Sequence, residues 1–75
     1  MPLFRSKAAR ELDAIIAELQ ANLENNYKDT AHAAREKLGR RLEELRSEGK
    51  ISEKLYKKYF VIYHEYSVKM TGYRH

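Results

Sequence analysis

Residues 22–34 read NLENNYKDTAHAA, a run with neither Gly nor Pro between two stretches rich in Ala, Leu and Glu. Asn25, Asn26, Tyr27, Lys28 and Asp29 break the pattern there. Either this run turns the chain between two helices, or it lies inside one long helix. A turn gives a closed bundle. A continuous helix gives a rod whose apolar stripe needs a second chain to cover it.

The segment before it, SKAARELDAIIAELQANLEN, places Leu12, Ile16, Leu19 and Leu23 three or four residues apart, with Ala8, Ala9 and Ile15 widening the stripe. That is the period of a one-sided helix. Ser6 suits its N-cap, because the hydroxyl can accept a backbone N–H of the first turn. Leu3 and Phe4 are expected to fold back over that end. The segment after it, DTAHAAREKLGRRLEELRSE, is apolar at Ala31, Ala34, Leu38, Leu42 and Leu45. This face is narrow and begins with Ala, so a neighbour can approach closely. Glu36–Arg40 and Arg40–Glu44 stand four apart, the spacing of helical ion pairs. Gly49 is placed to stop the helix, and Gly39 inside it is either tolerated or a point of close contact.

A third segment, SEKLYKKYFVIYHEYSVKM, starts at Ser52 as N-cap, with Ile51 and Tyr56 at the positions of a hydrophobic staple. Leu55, Tyr59, Ile62, Tyr66 and Met70 form one stripe, and Tyr56, Phe60 and Tyr63 a second beside it. Gly72 is the expected stop.

The first stripe, extended past Leu23, would bury Asn26, Thr30, Lys37, Arg40 and Glu44, so its phase must change. A helix rephased through Tyr27, Ala31 and Ala34 is not forbidden by propensity, since Asn25–Asp29 costs only ~2–3 kcal/mol against Ala. Length decides. A helix over 6–47 would run about 60 Å, more than twice the third helix. A turn at Asn25–Asp29 instead gives three helices of about 30 Å each. The sequence therefore predicts an all-α antiparallel three-helix bundle, with helices at about 6–25, 30–47 and 52–70 in a single domain, 1–75. The alternative is a long helix 6–47 plus helix 52–70 in a dimer. In the bundle, Asp29 or Thr30 caps the second helix and Tyr27 closes the bundle end.

Composition agrees with helix: 43% hydrophobic and 35% charged residues, one Pro, three Gly and no Cys. Without Cys there is no disulfide to staple a core this small. No apolar run reaches the ~18 residues of a membrane span. MPLFRSKAAR lacks an apolar signal core, so a soluble, cytoplasmic chain is expected. The net charge of +4 is concentrated late, with five basic and two acidic residues in 51–75.

Catalytic chemistry finds little support. There is no Cys nucleophile and no Gly-rich phosphate loop. Ser6 and Ser52 are accounted for as caps. His32 and Glu36 could share a helix face, but a metal site wants more ligands. No catalytic residue, metal, cofactor or small-molecule substrate is expected. LRSEGKISEKLYKKYF sets Gly49 and Ser52 as in a DNA-binding helix-turn-helix. Leu45, Glu48 and Lys50 depart from that pattern, and an ordinary helical hairpin fits equally well.

Two functional expectations follow. Five of the six Tyr fall in residues 56–73, more apolar arc than two slender helices can cover. Either the third helix lies centrally against both neighbours, or part of its aromatic face stays exposed. The first expectation is a non-catalytic protein–protein interaction module, serving a homodimer or another protein through Tyr56, Phe60 and Tyr63 with Lys57 at the rim. The alternative is nucleic-acid binding through a basic edge of helices 2 and 3: Arg40, Arg41, Lys54, Lys57 and Lys58. Glu36, Glu43 and Glu44 interleave with those arginines, as on a solvated face.

Overall fold

The computed structural model describes residues 6–71. Three helices follow one another: α1 (Lys7–Glu24), α2 (Lys28–Ser47) and α3 (Glu53–Lys69). The run 22–34 is a turn. Asn26 takes a φ of 60°, in the left-handed region that Asn tolerates better than most residues. Its N–H donates to the Leu23 carbonyl at 3.1 Å, and the Tyr27 N–H donates to the Asn22 carbonyl at 2.8 Å. These are the two bonds of a Schellman ending. α2 ends the same way: Gly49 has φ 70°, its N–H donates to the Arg46 carbonyl, and the Lys50 N–H to that of Leu45. Asn26 thus does in the first turn what Gly49 does in the second. The long helix over 6–47 is overturned.

The turn is tighter than the sequence suggested. Tyr27 occupies the N-cap of α2 without a side-chain cap bond. Asp29 lies inside the first turn, where its charge favours the positive helix end. The Thr30 hydroxyl donates to Asn22 Oδ1 at 3.0 Å and to the Tyr27 carbonyl at 3.2 Å, so it ties the turn rather than capping it. The Tyr27 ring is 59% exposed and does not close the bundle end. Ser6 and Ser52 do cap their helices, accepting from Ala9 N–H and Leu55 N–H, each at 3.1 Å. Leu3, Phe4 and Gly72 lie outside the described residues.

Contacts fix the directions. Glu11 meets Arg41, Glu18 meets Lys37 and Asn22 meets Thr30, so α1 and α2 are antiparallel. Tyr56 meets Glu43 and Ser67 meets Arg35, so α2 and α3 are antiparallel along most of their length. This is a helical hairpin, unlike the steep crossing of a helix-turn-helix. α1 packs on α2 and α2 on α3; the central helix is α2, not α3. Its Ala31, Ala34 and Gly39 make it slender enough to take a neighbour on each side.

The core has two layers. Ala8, Ala9, Leu12, Ile15, Leu38, Leu42, Leu45 and Tyr59 form one, and Leu19, Ala31, Ala34 and Met70 the other. Ile51 and Tyr56 both pack against the first layer. Of the stripe expected to bury α3, only Tyr59 and Met70 are buried; Leu55, Ile62 and Tyr66 are half-buried. Tyr59 carries the link to α1. It is 1% exposed, and its hydroxyl donates to Asp13 Oδ1 at 2.8 Å.

Candidate functional site

The second stripe of α3 comes together as a row of rings. Phe60 lies between Tyr56, with centroids 5.9 Å apart and planes at 27°, and Tyr63, at 6.2 Å and 48°. His64 stacks on the far side of Phe60 at 6.4 Å and 18°. The two tyrosines are held by α2. The Tyr56 hydroxyl donates to Glu43 Oε2, and the Arg46 guanidinium lies 4.2 Å from the ring centroid. The adjacent Glu43 carboxylate, accepting that bond, pushes the Tyr56 hydroxyl above its ordinary pKa, and burial adds to the shift. Tyr63 lies against Gly39, and Arg35 Nη1 donates long bonds of 3.5 Å to Tyr63 Oη and Ser67 Oγ. Gly39 is therefore a point of close contact.

Phe60 has no such anchor and is 42% exposed. Two residues outside both stripes extend its surface: Val61 is 54% and Val68 60% exposed. Lys57, Val61, His64 and Val68 recur at spacings of four, three and four, which puts them on one helix face. The sequence reading passed over Val61 and Val68 because it followed ring stripes. Two β-branched apolar residues seven apart on the polar side of a helix were the available signal.

Of the basic residues, Arg41 is set apart from the others. Arg41 faces α1, donating to Glu11 Oε2 at 2.5 Å and Oε1 at 3.2 Å, and also to Glu44 at 3.0 Å. The bidentate Arg41 contact holds the Glu11 carboxyl below its ordinary pKa, and the same contact raises that of the guanidinium. Glu44 thus pairs with Arg41, and neither helical pair expected of Arg40 forms among the described residues. Arg40, Lys54, Lys57 and Lys58 are exposed.

Other surfaces offer less. A shallow groove of about 400 Å³ between α1 and α3 is lined by Ile16, Gln20, Ile62, Glu65, Tyr66 and Lys69. No group of three or more metal-ligating side chains exists among the described residues. No described helix is long and apolar enough to cross a membrane. Ser47 donates to the Glu44 carbonyl and Ser67 accepts from Arg35.

No family model, curated protein or solved structure matches this chain. Its class is that of its fold, a small three-helix bundle.

Proposed function

We propose that the chain is a non-catalytic protein–protein interaction module that binds through the outward face of α3. One observation carries the reading: α3 keeps Phe60, Val61 and Val68 in solvent while its tyrosines are engaged by α2 and the core. Exposed apolar residues gathered on one helix mark a contact region more often than residues scattered singly do. Tyr56 and Tyr63, fixed on either side, hold Phe60 in one place, which lowers the ordering cost of binding. Lys57 forms the rim. Nucleic-acid binding through Arg40, Arg41, Lys54, Lys57 and Lys58 remains the alternative, but Arg41 is already paired with Glu11 and Glu44. The cytoplasm is the location we propose for it, with which the absence of Cys is compatible.

Photo-crosslinking tests this. A benzoylphenylalanine placed at Phe60 or at Val68 is expected to capture the same protein, with no capture from Ala33 on α2. Loss of that product on adding Val61→Glu completes the expected result. Products that are nucleic acid or lipid, or equal capture from Ala33, overturn the reading.

A further inference from the structure

The charge around the outward face of α3 is mainly basic, with Glu65, exposed one turn after Val61, as the opposing carboxylate on that helix. Lys54, Lys57 and Lys58 are exposed within its first two turns. Two of the nearby carboxylates are engaged by α2: Glu53 meets Arg46 at 3.4 Å, and Glu43 of α2 accepts from the Tyr56 hydroxyl. Lys54 and Lys57 have no ion-pair partner among the described residues, and Lys58 approaches only the Tyr59 ring, at 5.7 Å. Lys54 also lies in the first turn, where the helix dipole disfavours a cation. Three cations thus stand on the same helix as the exposed apolar residues with no ion pair among the described residues, outnumbering the exposed Glu65.

From this we infer that the natural occupant of the face is an acidic amphipathic helix of another protein, its apolar residues on Phe60, Val61 and Val68 and its carboxylates over Lys54, Lys57 and Lys58. The inference rests on the reading of this face as a protein-binding surface and adds the chemistry of the partner. Lys54 to Val68 spans about 21 Å, which four turns of helix cover. Helical partners of this kind anchor at i, i+3 or i+4, and i+7. A second copy of this chain fits less well, because each carries a net +4 and would bring its own lysines to the seam. Opposite charge at the rim also speeds encounter and fixes orientation.

The test titrates the isotope-labelled full chain with helical peptides of about 18 residues, long enough for this span. One carries a Leu row flanked by Glu, and its twin carries the same row flanked by Lys. The acidic peptide is expected to shift the amides of α3 and to bind at least about tenfold tighter than its twin at low salt, the margin narrowing at high salt. Lys54→Glu with Lys57→Glu is expected to reverse the preference, which a loss of fold would not do. Val61→Asp is expected to abolish binding of both peptides, with helical circular dichroism unchanged. Equal binding of the two peptides through Phe60 and Val61 overturns the acidic partner and leaves the protein-binding face standing. Binding of neither peptide, or stronger perturbation of the same amides by poly(U) or phosphatidylserine vesicles, overturns both.

Discussion

The ring of Tyr63 occupies the space that a side chain at Gly39 would need: a Cβ there would come within 2.7 Å of Tyr63 Cε1 and 2.8 Å of Cζ. Gly in mid-helix costs ~1 kcal/mol against Ala, so the notch costs α2 stability and provides the seat for α3. Gly39→Ala is expected to gain propensity and lose the seat, with little net change. In a Tyr63→Ala background the same substitution is expected to stabilise by about 1 kcal/mol. Urea unfolding of the four proteins measures the coupling. Equal effects of Gly39→Ala in both backgrounds would remove the notch from the account.

Asn26 supplies the left-handed residue on which the first turn depends. Asn26→Ala is expected to destabilise by about 1 kcal/mol, the cost of that backbone region for a residue with an ordinary Cβ. Asn26→Gly is expected to stay within about 0.5 kcal/mol of the parent. Thermal or urea unfolding checks both. An Ala variant as stable as the parent would mean the turn does not rely on Asn26.

Tyr59 ties α3 to α1 through Asp13. Tyr59→Phe keeps the ring and removes the hydroxyl, so a loss of about 1 kcal/mol is expected, within the range for a single hydrogen bond. Tyr59→Ala also removes the ring from a buried site, where aromatic truncation costs about 3–5 kcal/mol. Calorimetry of the two variants separates bond from packing.

Acid and alkali should act at different seams. The Glu11 carboxyl is held below its ordinary pKa by Arg41. Its contribution is therefore full above the unfolded-state value, near 4.5, and is lost as the pH falls through the lower folded value. Glu11→Gln is expected to flatten that acid limb. The Tyr56 hydroxyl is shifted the other way, so its contribution is full below the ordinary value near 10.0 and lost as the pH rises through the folded one. Tyr56→Phe is expected to flatten the alkaline limb. Both groups lie near solvent, so the effects are small and are best read as differences between variant and parent across pH.

The three helices and their endings at Ser6, Ser52 and Gly49 were legible because each rests on local chemistry, whereas the start of α2 was not, since Tyr27 takes the N-cap expected of Asp29 or Thr30. Ser6, Ser52 and Gly49 act within one turn of themselves, and the stripes of α1 and α2 face the core as their spacing requires. The helix order in space was not legible. A stripe reports how wide a buried face is, not which neighbour covers it, so the wide arc of α3 left open a central position or a partly exposed face; α2 holds the centre and the face of α3 stays partly exposed. Ala31, Ala34 and Gly39 carried that information. The site was legible in part: Phe60 followed from periodicity, whereas the engagement of Tyr56 by Glu43 and of Arg41 by Glu11 depends on residues 13 and 30 positions away.

The central claim is that this chain leaves the outward face of α3 open for another protein. Light scattering of the full chain across a wide concentration range tests it most directly. The account predicts a monomer of 8.9 kDa throughout, with the same mass for Val61→Glu. A concentration-dependent dimer that Val61→Glu dissolves would contradict it, because the chain itself would then cover the face.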